Sequence, residues 1–401
     1  MATAETAQRA DPAELAARTR EFVREVVLPL DDEYDGDIAA AGGEGARVRL
    51  QDAARDAGVF APHAPVELGG HGLGMTDRAA VFEEAGYSLF GPLALNIAAP
   101  DEGNVHLLAE VATAAQRQEF LTPLALGTQR SAFAMTEPAP GAGSDPSALL
   151  TRAVRVSDGW SISGRKWFIT GADGAGFFIV MARTGGEPGG PDGATMFVVP
   201  AGSPGLTVGR HLDTVDRSMI GGHCEVTFED VVVPQDNVLG AVDEGFRYAQ
   251  VRLGPARMTH VMRWLGAARR AHESAVQHVS GRDAFGATLA SLGMVQQQIA
   301  DNEIDLAASR ALLLRACADL DAGDRAASQS TSIAKTFAAE ALFRVADRSM
   351  QICGGLGVSA ELPVARIHRE LRPFRIYDGP SEVHRWAIAR RAVRRVAGAR
   401  V

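Results

Sequence analysis

Between Gln129 and Gly240 the hydrophobic pattern of this chain changes period. On either side of that stretch, apolar residues recur at three- and four-residue steps, the spacing of one helix face. Inside it they alternate or run together in short β-branched bursts: "TRAVRVSDGWSISG", "FFIVMART", "ATMFVVP", "LTVGRHL" and "CEVTFEDVVVP". Turn formers such as "SDG" and "GGEPGGPDGA" separate the bursts. Short strands divided by turns predict a small antiparallel barrel or sandwich. A chain that reads helices, then strands, then helices lacks the alternating βαβ units of a doubly wound parallel sheet.

The 401 residues suffice for two or three domains, and the pattern divides them at 1–128, 129–240 and 241–401. In the first block, "PAELAARTREFVREVVLPL" sets Leu15, Phe22, Val23, Val26 and Val27 on one helix face. "MTDRAAVFEEAGYSLFG" offers Thr76 as its N-cap. The third block carries long amphipathic stretches, including "SLGMVQQQIADNEIDLAASRALLLRACADLD", that pack as a helical bundle. The expected class is α+β: a helical N-terminal domain, a central β domain and a C-terminal helical bundle.

Composition narrows the function classes. A net charge of -9 argues against a general nucleic-acid binder. Cys224, Cys317 and Cys353 show no CxxC or Cys/His spacing, which predicts a reduced, cytoplasmic chain without disulfides. No histidine pair has ligand spacing, so no metal site is expected. The N-terminal "MATAETAQRADPAELAARTR" has no apolar centre and does not read as a signal peptide. No apolar run approaches the roughly 20 residues of a membrane span.

Several short stretches could carry chemistry. "AMTEPAPGAGSDPSA" has glycines, Gly141 and Gly143, that admit a flat or anionic ligand, and hydroxyls at Thr136 and Ser144. It lacks the GK[ST] ending of a phosphate-binding loop, and its plain reading is a flexible connection. The pair Trp167-Phe168 in "GRKWFITG" reads first as strand core, or else as the wall of a planar cofactor beside Thr170. "GRDAFG" places Arg282 where it could cap a helix or meet a phosphate. "QICGGLGV" is a helix end or a seat for a dinucleotide backbone. In "RIYDGPSEVHR" a lone carboxylate, Asp378, precedes a Gly-Pro turn and a helix; it is either an N-cap or something more.

The joint order of these stretches, with "FEDVVVP" between them, resembles the acyl-CoA dehydrogenase family over nearly the whole chain. The resemblance implies that family's helical, β-barrel and four-helix-bundle domains, and the cofactor FAD. It implies α,β-dehydrogenation of an acyl thioester, on CoA or on an acyl carrier protein. By that likeness Asp378 is the base. Thr136, Gly143, Ser144, Phe168 and Thr170 meet the flavin, with Phe168 where the family usually has tryptophan. Arg282, Phe285, Gln351, Gly354 and Gly355 match residues that reach the ADP part of FAD in a neighbouring subunit. Ser144, Arg257 and Gly379 fall to the substrate. The resemblance further implies a homodimer or homotetramer and an electron-transfer flavoprotein, or an equivalent, as acceptor. The text departs from the family at the base, "YDGP" for "YEGT", as in a branch that uses aspartate, and its "TEPAPGAGSD" loop is two residues longer than usual.

The chemistry explains the residue types. An α-proton beside a thioester is weakly acidic, and burial near apolar groups strengthens a carboxylate base. The family likeness implies that the backbone N–H at Asp378 and a flavin ribityl hydroxyl steady the thioester oxygen as charge develops. Two other readings share the fold. A flavin monooxygenase or oxidase usually lacks a carboxylate at this position. A non-catalytic scaffold flavoprotein would not need Asp378. Glu137 is the next candidate base.

Overall fold

The computed structural model describes residues 11–190 and 192–398. The outer ends of the blocks expected at 1–128 and 241–401, and the first half of the N-terminal stretch read for a signal peptide, lie outside the described residues.

The first helix, Pro12–Phe22, is capped by Asp11, which accepts from the Ala13 N–H at 3.0 Å. Its apolar face continues through Val23 and Val27, both buried. Val26 does not join that face: a π-turn over Val23–Val27 shifts the register, and Val26 is 43% exposed. The Met75–Ala85 helix also differs from expectation. Gly74 is its N-cap, and Thr76 lies inside the first turn. The cap comes from a distant carboxylate, because Asp321 accepts from Met75 N at 2.7 Å and Thr76 N at 2.8 Å.

Eight strands follow: β1 (Ser131–Ala134), β2 (Arg152–Val156), β3 (Gly159–Thr170), β4 (Phe177–Arg183), β5 (Ala194–Pro200), β6 (Leu206–His211), β7 (His223–Val233) and β8 (Val238–Leu239). They form one sheet in the order β6-β7-β3-β2-β4-β5-β8, with β1 also on β4. Most pairings are antiparallel as expected, but β1 and β2 both run parallel to β4. The run "FFIVMAR" is buried along its whole length because β4 has an apolar layer on each side. Phe178 and Val180 join the sheet's own core with Trp160, Ile162, Val226 and Phe228. Phe177, Ile179 and Met181 point the other way, into the core shared by both helical regions. One strand's two-residue period therefore fastens the β domain to the helices.

Four long helices make the C-terminal bundle: Gly245–Gly281, Gly293–Asp321, Ala327–Ile352 and Ser381–Ala397. The Gly245–Gly281 helix touches the Met75–Ala85 helix backbone to backbone. A Cβ at Gly266 would meet Glu83 O at 2.1 Å, and one at Gly86 would meet Arg263 O at 2.0 Å. Glycine is needed at both positions for that approach, and the crossing fixes the helix that carries Arg257 and His260. No described helix is long and apolar enough to cross a membrane.

Candidate active site

Asp378 sits at a corner of unusual backbone. It has a φ of 54°, and Gly379 follows with a φ of 95°. Both lie in the left-handed region, which costs a residue with a side chain roughly 1–2 kcal/mol. The corner is held from three helices. The Asp378 carbonyl accepts from Arg257 Nε at 2.9 Å and lies 3.1 Å from His384 Nε2. The Gly379 carbonyl accepts from Lys335 Nζ at 2.7 Å. Helix capping does not explain Asp378. The last helix begins at Ser381, its N-cap is Pro380, and no side chain caps it.

The carboxylate itself is left free for chemistry. Its Oδ2 is buried without a hydrogen-bond partner, and His260 Nε2 stands 3.4 Å away. Buried polar atoms are normally paired, so an orphaned carboxylate oxygen points to a function. His260 is neutral: burial, then Arg263, Arg252 and Lys335, push its pKa well below the usual value. Burial also lowers Arg252, Arg257 and Arg263, and the Asp378 carboxylate opposes the shift in each. Burial takes the Lys335 ammonium down to about 8, again against Asp378. His384 falls to about 4, from burial and then Arg257. Asp378 thus lies among fixed cations and neutral imidazoles. A cavity of about 700 Å³ opens beside Arg257, walled by Leu73, Met75, His106 and Val251 among others.

Glu137, the next candidate base, has both carboxylate oxygens engaged. It accepts from Ala142 N, Leu150 N and Thr151 N at 3.1, 2.7 and 2.8 Å, and pairs with the buried Lys166 at 2.9 Å. Burial raises its pKa, but Lys166 and these donors outweigh that and leave it lowered. It ties down the "TEPAPGAGSD" loop, whose tip leaves Gly143 and Ser144 exposed.

The aromatic pair is not strand core. Between Lys166 and Ile169 the β3–β7 register slips, because three steps on β3 span two on β7. The extra residue is a β-bulge. It leaves Phe168 at a φ of 51° and 47% exposed, with the Trp167 ring 5.0 Å away and edge-on. The Thr136 carbonyl accepts from Trp167 N at 3.0 Å, so the loop and the bulge meet. Arg282, Phe285, Gln351, Gly354 and Gly355 gather elsewhere. They flank a separate small cluster of Ala275, Val279, Ile352 and Cys353 at one end of the bundle, all five exposed, with Phe285 at 93%.

Family models match most of this chain: the acyl-CoA dehydrogenase N-terminal domain over residues 10–128, the middle domain over 132–231 and the C-terminal domain over 243–393. The chain belongs to the acyl-CoA dehydrogenase family. It is 38% identical over 382 residues to the Mycobacterium tuberculosis protein named probable acyl-CoA dehydrogenase FadE2, covering 93% of each chain. It is 33% identical over 391 residues to acyl-CoA dehydrogenase family member 11 of Gallus gallus, covering 94% of this chain and 50% of that protein. This chain thus spans about half the length of the family member 11 protein. Among solved structures, butyryl-CoA dehydrogenase from Megasphaera elsdenii superposes with a TM-score of 0.85 at 28% identity, covering 98% of this chain and 100% of that one. The protein is an acyl-CoA dehydrogenase-type oxidoreductase with FAD as its cofactor.

The residues present fit a flavin. An exposed aromatic on a strained bulge offers a flat wall, and a Cβ at Gly143, Gly354 or Gly355 would meet only open space, so a ligand can approach each backbone closely. Sequence reasoning missed Lys335, His384 and His260; His384 stands in the quoted "RIYDGPSEVHR" stretch, but nothing in the text shows that it turns back to the Asp378 carbonyl. One signal was there. The chain has only two lysines, Lys166 and Lys335, among 40 basic residues, and both are fully buried.

Proposed function

We propose that the protein dehydrogenates an acyl-CoA between its α and β carbons, with Asp378 removing the α-proton. The observation that carries this reading is the unpartnered, buried Oδ2 of Asp378 on a backbone clamped by Arg257, His384 and Lys335. The clamp holds the base still, and a positioned group needs less reorganisation to react. Arg252, Arg257, Arg263 and Lys335 favour negative charge in the corner, including charge that builds on the thioester oxygen as the proton leaves. By the family likeness, the Asp378 N–H is the donor this chain offers to that oxygen. Ser144 and the Gly379 backbone flank the thioester, and the acyl group enters the cavity beside Arg257.

FAD, when bound, accepts the β-hydride and so supplies the redox chemistry. Thr136, Gly143, Ser144, Phe168 and Thr170 hold its ring. Arg282, Phe285, Gln351, Gly354 and Gly355 serve the ADP portion bound by a neighbouring copy, in a homodimer or homotetramer. Electrons leave to an electron-transfer flavoprotein, and the enzyme works in the cytoplasm. Anaerobic mixing with a panel of acyl-CoAs tests the reading. At least one should bleach the flavin band within seconds; no bleaching by any chain length or branching pattern would refute it.

A further inference from the structure

Thr170 and His223 face each other across β3 and β7. They begin a line of hydrogen bonds that the proton-removal chemistry does not use. Thr170 Oγ1 lies 2.9 Å from His223 Nδ1, and His223 Nε2 lies 2.7 Å from Asp216 Oδ2. Burial raises the Asp216 pKa, but its bond to His223 outweighs that and keeps it lowered, so it is a carboxylate. A carboxylate only accepts, so the His223 hydrogen is on Nε2. With a single hydrogen on the ring, Nδ1 is then an acceptor and the Thr170 hydroxyl donates to it. With its one hydrogen engaged, Thr170 presents only lone pairs on its other side.

We propose that Asp216 and His223 are positioning residues that fix the Thr170 hydroxyl as a hydrogen-bond acceptor toward N5 of the flavin ring. This rests on the placement of Thr170 at that ring given above. An acceptor there suits the reduced ring, whose N5 carries a hydrogen, and opposes the oxidised ring, whose N5 is itself an acceptor. The dyad therefore favours the reduced cofactor and draws the midpoint potential upward. Free of the dyad, the Thr170 hydroxyl can turn and donate to the oxidised ring, which reverses the preference.

The test is the two-electron midpoint potential of the purified holoenzyme, measured by anaerobic titration against reference dyes at pH 8. His223→Phe and Asp216→Asn should each lower it, by about 30 mV for every tenfold lost in preference for the reduced form. In a Thr170→Val background, His223→Phe should have no further effect. If Thr170→Val moves the potential and His223→Phe does not, the dyad does not act through Thr170 and the proposal falls, while the flavin placement stands. If Thr170→Val leaves both potential and flavin spectrum unchanged, the placement of Thr170 falls and the proposal with it. A second measurement needs neither variant nor turnover. Nitrogen NMR of histidine-labelled enzyme should show His223 with its hydrogen on Nε2; a hydrogen on Nδ1 overturns the proposal.

Discussion

Lys335→Met keeps the length of the side chain and removes its charge, and its effects on stability and on rate should part company. Lys335 is fully buried, donates to Gly379 O at 2.7 Å and lies 5.2 Å from the Phe374 ring centre. Losing a charge-assisted hydrogen bond costs about 1.5–3 kcal/mol. Burial, however, has brought this ammonium from 10.5 down to about 8, and relief from that is worth about 3 kcal/mol at roughly 1.4 kcal/mol per unit. The two nearly cancel, so the melting temperature should change little. The rate should not escape. Without its anchor the Gly379 carbonyl drifts, and a base misplaced by about 1 Å costs roughly 100-fold. Anaerobic stopped-flow should show the limiting rate of flavin reduction down by about 10- to 100-fold. The pH profile adds a second reading. In the wild type, activity should decline above about pH 8 as Lys335 loses its proton, and the Met variant should lack that limb. The stability sign is opposite: between about 8 and 10.5 the unfolded chain binds the extra proton, so this lysine's contribution rises with pH. A Met variant with the wild-type reduction rate and an intact alkaline limb would refute the reasoning.

Gly379→Ala puts a Cβ 2.8 Å from His384 Nε2 at a φ of 95°, so it should cost about 1–2 kcal/mol and slow flavin reduction, read by melting curve and stopped-flow. Glu370 is buried, and burial, helped by Asp216, raises its carboxyl to about 7 despite bonds to Ser218 and Arg217 N. With the folded value above the unfolded 4.5, its contribution is full below about 4.5 and is lost as pH rises through about 7. Glu370→Gln should therefore raise the melting temperature at pH 8 and leave it unchanged or lower at pH 4.5; equal shifts at both would contradict this. Arg282→Ala should lower the FAD-to-protein absorbance ratio after gel filtration, whereas a monodisperse monomer that retains all its FAD would contradict a site shared between subunits.

What the sequence made legible was set by local period. The change at Gln129–Gly240 is real in the structure because side chains alternate along strands and recur along helices. Local chemistry misled where the partner is remote. Thr76 looked like a cap because its neighbours are helical, yet Asp321 does the capping from another helix. Trp167 and Phe168 looked like core because aromatic residues in strands usually are, and only the register slip against β7 turns them outward. Asp378 satisfied the pattern of a helix start, but two left-handed residues set it apart from the Ser381–Ala397 helix. Glu137 stood as the next candidate base because nothing nearby in the text shows the four donors that engage it. Lys335 and His260 come from helices that meet the corner only after the bundle has packed.

The most direct test of the central claim is stopped-flow reduction of Asp378→Asn by the best acyl-CoA, with a melting curve beside it. Asparagine keeps the shape, tolerates the left-handed backbone and cannot take a proton at neutral pH. Losing a mere helix cap would cost about 1 kcal/mol and leave turnover nearly intact. The account expects the flavin to stay oxidised in the presence of substrate, while FAD remains bound and the protein melts close to the wild type. Near-normal reduction by the Asn variant would contradict it.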